Sequence, residues 1–257
     1  MSTGGFGWSY RLWSSADGVH WHQEKDATGP TSDRSTVFPN PLRSPRRWTF
    51  SIKGYDTRIN GEFGRSRLYW DTPSDDFFGA EWTAAEPVQW QGGNAEALDP
   101  GYVAGPAEGR AAQLYNLDAY AYESIIVGYF SLFRCKHSNQ GCPTHPEFDS
   151  IYIGFSRDGY SWSKPPAGQP LPLRGVGLDA KHRGPFLSMA PGQTVGLYPD
   201  PASRLWNYGA VQSVTGGVIL PDDNATVSTM LTFAGGQSGY GTMGVSSQAV
   251  CLTAIEN

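Results

Sequence analysis

LYNLDAYAYESIIVGYFSLF (Leu114 to Phe133), followed after a cysteine-flanked loop by DSIYIGFSRDGYSW (Asp149 to Trp162), is the stretch that decides the fold. Ala119 to Ser124 alternates small and aromatic residues around one acid, Glu123, and reads as a first extended segment. Ile125 to Phe133 is apolar on both parities, as a strand covered on both faces should be. Ser150 to Phe155 sets Ile151, Ile153 and Phe155 on one face and Tyr152 and Gly154 on the other. It runs into Ser156-Arg157-Asp158-Gly159-Tyr160-Ser161-Trp162, a turn closed by a large aromatic anchor.

The same S-x-D-G-x-x-W turn stands at Ser15 to Trp21, after the short strand Tyr10 to Ser14. Glycine permits a positive φ, the aspartate accepts backbone N–H bonds, and the tryptophan is expected to close the core beneath. Both Trp21 and Trp162 are therefore expected to be buried, and Ser74-Asp75-Asp76 running to Trp82 is a degraded third copy. A second repeat begins at Asp33 (DRSTVFPNP), Asp118 (DAYAYESII) and Asn207 (NYGAVQSVT). The positions five residues on are Phe38, Glu123 and Gln212. Second strands are expected at Trp48 to Ile52, Ile125 to Phe133 and Gly217 to Leu220, and third strands at Ser66 to Asp71, Ser150 to Phe155 and Ser228 to Phe233. Val245 to Ile255 reads as a last strand, one able to pair with another unit. The fold class is accordingly all-β, a β-propeller in a single domain over 1–257, with units at 1–29, 30–110, 111–200 and 201–257. Thr83 to Glu108 and Lys164 to Asp200, rich in Gly and Pro, read as linkers or rim loops.

Composition agrees with a strand-rich, loop-rich chain: 257 residues with 32 Gly, 19 Pro and 13% aromatics. Charged residues make 17% and the net charge is −5, with no basic stripe, so nucleic acid is not an expected partner. No apolar run reaches the ~18 residues that span a bilayer, and no membrane association is expected. MSTGGFGWSY has neither a basic nor a hydrophobic leader region, so no signal peptide is visible and the compartment stays open. Cys135 and Cys142 flank a loop and could close a disulfide in an oxidising compartment, or remain thiols. With His137 and His145 they do not make a common zinc spacing, and neither metal nor cofactor is expected.

The blade motifs resemble the five-bladed β-propeller glycoside hydrolases of the invertase, levanase and arabinanase type. The likeness is to an uncharacterised family-32-like branch whose blade pattern stands here at Leu114 to Ser124, Gly128 to Ser131 and Gly154 to Trp162. DRSTVFPNP (Asp33 to Pro41) and WNYGAVQSVTGG (Trp206 to Gly217) match more loosely. The resemblance implies three carboxylates converging on a central channel from the innermost strands of successive blades. On this sequence it puts the transition-state stabiliser at Asp33 and the general acid at Glu123, with Asp118 a further carboxylate on the same strand. The first-blade nucleophile and its Asn-Asp-Pro-Asn-Gly pattern have no match, as if the chain begins after that blade.

Glu123 is the strongest candidate, because a carboxylate among Ala, Tyr and Ile on an inner strand is costly unless it is paired or used. Such surroundings would raise its pKa as a general acid requires. Asp118 alternatively caps the turn before its strand, and Asp33 alternatively is a surface turn residue. Asn207 and Gln212 could hydrogen-bond sugar hydroxyls, and Tyr122 and Trp206 could stack on a sugar ring. The expected function is therefore a glycosidase, if the propeller is complete, acting on carbohydrate through channel-facing carboxylates. The alternatives are an inactive propeller that binds carbohydrate or protein, or a truncated one.

Overall fold

The computed structural model describes the backbone at 8–59, 62–89, 110–138, 141–163, 187–188, 210–221, 227–237 and 247–256. Every regular element among these residues is a β-strand. Strands β1 (Leu12–Ser14) and β2 (His22–Lys25) form a two-stranded ribbon. A four-stranded sheet runs in chain order through β3 (Thr36–Asn40), β4 (Arg47–Ile59), β5 (Glu62–Asp71) and β6 (Val88–Gln89). The next sheet follows the same order through β7 (Arg110–Tyr122), β8 (Ile125–Ser138), β9 (Gly141–Ser156) and β10 (Trp162–Ser163). A short β11 (Leu187–Ser188) is added on β9. The last sheet holds β12 (Ala210–Pro221), β13 (Val227–Gln237) and β14 (Ser247–Glu256).

Each sheet is an antiparallel meander, and the sheets stack in sequence. First strands are neighbours: β3 packs beside β7, and β12 beside β7 in turn. Thr36 ties the first of these seams by donating from Oγ1 to the Leu117 carbonyl. Successive up-and-down sheets whose first strands gather on one side make a partial β-propeller.

Strand β4 shows how the blades stack. WTFSIK alternates apolar and polar residues, which by itself reads as a strand with one wet face. Yet Phe50, Ile52, Thr49, Ser51 and Lys53 are all buried. The apolar face meets Leu12 of the ribbon, Ala80 and Trp82. The polar face turns towards β7. Phe38 supplies the apolar part of that second seam, packing with Leu114, Leu117, Ile126, Phe130 and Trp162. Leu114 and Leu117 share this face although they are three residues apart, because a bulge at Tyr115 adds one residue to β7.

Several expectations change. Cys135 and Cys142 are not the ends of a loop: β8 and β9 run on through them, with Lys136 opposite Thr144 and Ser138 opposite Gly141. Long paired strands replace the loop because both segments can continue the ladder. The strands expected on either side of Ser213 to Gly217 are one strand, β12, which absorbs the extra residues as an irregularity in its register with β13. The last strand, β14, pairs with its neighbour β13. Most of the two expected linkers lies outside the described residues, apart from Thr83 to Gln89 and β11.

Trp162 and Trp21 part company. Trp162 is 6% exposed and meets Phe130 edge-on at 5.0 Å. Trp21 is 57% exposed. The expected burial of Trp21 fails because its turn stands on a two-stranded ribbon with no described layer over the tryptophan. Trp82, below the degraded turn, is buried against Phe50 and Trp70 and donates from Nε1 to the Pro30 carbonyl at 3.1 Å.

Candidate functional site

The polar seam between the second and third sheets gathers charge around Asp33, just before β3. Asp33 is partly exposed and forms an ion pair with Lys53 of β4, whose side chain is almost wholly buried. Burial pushes the Asp33 carboxyl up, but the hydrogen bond and charge of Lys53, with help from Ser32 and Arg65, bring it below its ordinary value. The lysine is also lowered. Its burial, with the nearby Arg65 and Arg67, outweighs the favourable hydrogen bond and charge of Asp33. The pair is therefore unequal, with an acid held ionised and an ammonium set among other cations.

Tyr115 lies at the centre. Its buried ring has the Lys53 Nζ at 4.9 Å, the Arg65 Cζ at 5.4 Å and the Arg34 Cζ at 5.9 Å from its centroid. Each is within the range of a cation–π contact. The β7 bulge falls on this residue, so the same irregularity that keeps Leu114 and Leu117 on the core face presents Tyr115 to the cations.

Arg67 is the deepest of the group at 1% exposure, a position tolerable for a guanidinium only when its donors are met. Nε and Nη2 reach the Ser51 hydroxyl at 3.1 and 2.9 Å, and Nη2 reaches the Ser51 carbonyl at 2.7 Å. Nη1 donates to the carbonyls of Arg34 at 2.9 Å and Tyr115 at 3.3 Å. Burial lowers its pKa to about 10, and Tyr10, Asp118 and Asp33 oppose the shift. Arg67 thus joins three strands and the turn before β3. That turn is strained, since Arg34 holds a left-handed φ of 59°.

Asp118 is buried on β7 and accepts from Asn116 Nδ2 at 2.9 Å. It is a strand residue paired opposite Tyr129 and not the cap of a preceding turn. Its charge reaches Arg67 and Tyr10.

Glu123 is not on an inner strand. It occupies the tight turn between Tyr122 and Ile125 with φ of 49°, and its side chain is exposed. Apolar neighbours in sequence do not enclose it, because the chain reverses there and points the side chain outward. Asp118 lies five residues back along β7, so the two Cα atoms are roughly 16 Å apart at about 3.3 Å per residue. Paired carboxylates of glycoside hydrolysis stand about 5–9.5 Å apart. Tyr122 ends β7 beside that tip, half-buried, far along the strand from Tyr115. Gln212 lies on β12 opposite Gly235, while Trp206 and Asn207 fall outside the described residues.

Sequence reasoning missed Lys53, Arg65, Arg67 and the part played by Ser51. The signal was present in WTFSIK and RSRLYW, where basic residues alternate with the apolar face of strands that neighbour other sheets on both sides. A basic residue on such a strand has no water to face and must be paired or used.

No protein-family model matches the chain, and no curated protein matches it significantly. Among solved structures, an N-acetylgalactosamine deacetylase from F. plautii in complex with blood group B trisaccharide is similar at 16% identity and TM-score 0.44. The match covers 98% of this chain and 61% of that one. A GH93 alpha-L-arabinofuranosidase of Fusarium graminearum with arabinobiose is similar at 10% identity and TM-score 0.40. An alpha-L-arabinanase of Penicillium chrysogenum complexed with arabinobiose is similar at 11% identity and TM-score 0.41. Each of the latter two matches covers 97% of this chain and 55% of the other. The chain thus spans less than two thirds of the length of these structures.

Proposed function

We propose that this chain is a carbohydrate-binding module of the propeller glycosidase type, family-32-like in its blade motifs, with its site at Asp33 and Tyr115. The observation that carries the reading is the partly exposed Asp33 carboxylate, held ionised by Lys53 beside the cations around the Tyr115 ring. Ionised carboxylates accept hydrogen bonds from vicinal hydroxyls, and guanidinium groups donate to ring and hydroxyl oxygens. Binding, more than hydrolysis, suits the geometry. Asp118 is the carboxylate that shares an electrostatic partner, Arg67, with Asp33, whereas Glu123 is a solvent-facing turn residue. Asp33 and Asp118 would form the catalytic pair if hydrolysis occurs.

The test is binding and turnover on a panel of neutral and acidic oligosaccharides, with wild type, Asp33→Asn and Glu123→Gln. Saturable binding that D33N weakens at least tenfold and E123Q leaves intact is the expected result. Absence of binding across the panel would remove the reading. Hydrolysis abolished by E123Q would overturn the site assignment in favour of the turn glutamate.

A further inference from the structure

We infer that the outer face of the β1–β2 ribbon is a second saccharide surface, on which Trp13 and Trp21 stack the rings of an uncharged oligosaccharide. This goes beyond the site at Asp33. The ribbon lies through Leu12 on the Phe50 and Ile52 face of β4, whereas Lys53, the partner of Asp33, alternates onto the other face.

The first support is how the ribbon disposes its residues. Leu12 is buried against that sheet, so Trp13, next along β1, points the opposite way. Trp13 stands opposite Gln23 on β2, and Trp21 comes two residues before Gln23. Residues opposite one another or two apart share a face of an antiparallel pair, which makes the two tryptophans diagonal neighbours about 7–8 Å apart. Trp13 is 45% exposed and Trp21 57%, and among the described residues neither ring meets another ring or a cation.

The second is size. At about 250 Å² for a whole tryptophan, the uncovered parts of the two come to roughly 250 Å². A specific protein interface takes about 800 Å² from each partner, so the pair falls well short of what a second copy needs. It matches a short run of sugar rings.

The third is chemistry. A wholly apolar ligand needs a concave pocket to leave water, and this face is open. A sugar ring suits an open face, since its C–H side covers an indole while its hydroxyls stay wet. Gln23, opposite Trp13, donates from Nε2 to Asp26 and keeps Oε1 to accept from a hydroxyl. The charges of the ribbon are nearly balanced, with Asp17, Glu24 and Asp26 against Arg11 and Lys25, and Lys25 is paired with Glu81. A stacking nucleic acid would find no basic groove for its phosphates.

Cellohexaose is the probe, added to the whole chain and followed by calorimetry and by the indole N–H signals. Those of Trp13 and Trp21 should shift saturably, in wild type and in D33N alike, while those of buried Trp82 and Trp162 stay in place. Trp21→Ala should weaken the binding read at Trp13 at least tenfold with an unchanged thermal melt, and Trp21→Phe should fall between. Trp13→Ala should do the same to the binding read at Trp21. Unmoved indole signals would overturn the platform. If calorimetric binding then remains and D33N removes it, the Asp33 reading stands alone. Indole shifts with calorimetric binding indifferent to D33N would keep the platform and remove the Asp33 site. A melt lowered by several degrees in W21A, or self-association that W21A abolishes, would overturn the platform by showing that protein covers the face.

Discussion

The turns Ser15 to Trp21 and Ser156 to Trp162 are built from the same hydrogen bonds, yet only one carries a core. In the first, Gly18 N donates to Ser15 Oγ at 2.8 Å, and Val19 N and His20 N donate to Asp17 Oδ1 at 2.8 Å. In the second, Gly159 N donates to Ser156 Oγ at 2.8 Å, and Tyr160 N and Ser161 N donate to Asp158 Oδ1 at 2.7 Å. Both glycines take a positive φ, 75° and 88°. Local chemistry thus sets the shape of the turn, and what lies beneath sets its worth. Trp162 enters a sheet of four consecutive strands, where Gly128 leaves room for its ring and Phe130 meets its edge. Trp21 leads into a two-stranded ribbon and stays exposed.

The tryptophans give the largest contrast. Trp162→Ala should cost about 3–5 kcal/mol, as truncation of a large buried aromatic does. Trp21→Ala should stay within about 0.5 kcal/mol, as surface substitutions do. Denaturant melts of the two variants measure both. Comparable losses would mean that Trp21 has a burial partner in the folded protein and that the turns are equivalent after all.

The support beneath the second turn can be removed in two other ways. A Cβ on Gly128 would sit 2.6 Å from the Trp162 ring and 2.8 Å from Leu117 Cδ1, so Gly128→Ala overpacks the site. It should cost about 1–3 kcal/mol in the same melts. Asn40 acts from the neighbouring sheet, donating from Nδ2 to the Asp158 carbonyl at 2.9 Å and to Thr49 Oγ1 at 3.2 Å. Asn40→Ala leaves that part-buried carbonyl short of a donor and should cost about 1 kcal/mol. No change in either variant would show that the turn is held by its own hydrogen bonds alone.

Much of this was legible in the residues. Ile125 to Phe133, apolar on both parities, lies in the middle strand of its sheet, buried on both parities at Ile126, Val127, Tyr129 and Phe130, and the D-G turns form as their residue types require. Glu123 was not legible. Tyr122-Glu123-Ser124-Ile125 contains no Gly, Asn, Asp or Pro, so the reversal lacks the residues that favour a left-handed hairpin turn, and the left-handed glutamate is a consequence of pairing β7 with β8. Lys53 and Arg67 were hidden for another reason. A strand with one polar face looks half-exposed from its sequence, and only the stacking of the next sheet shows that face to be closed. Trp21 was over-read in the opposite sense, since a motif specifies a turn and not the layer below it.

The smallest expected effect separates the turns most finely. The Asp17 carboxyl lies well below the usual carboxylate range, first because His20 Nδ1 stands 2.7 Å from Oδ2, then because the His20 and Val19 amides bond to it. A depressed folded pKa adds stability above the ordinary carboxylate pKa and loses it as pH falls through the folded value. Asp17 is exposed on the surface, so this linkage should act on the turn and leave the core untouched. His20→Ala removes the largest cause. It should raise the Asp17 pKa towards the ordinary value, read by carboxyl NMR titration, and bring forward on acidification the loss of amide protection at Val19 and at the substituted position. The global denaturation midpoint of the variant should equal that of wild type at each pH. A midpoint that shifts with the Asp17 titration would couple the ribbon to the sheets, and the first turn would then have to be counted as part of the core.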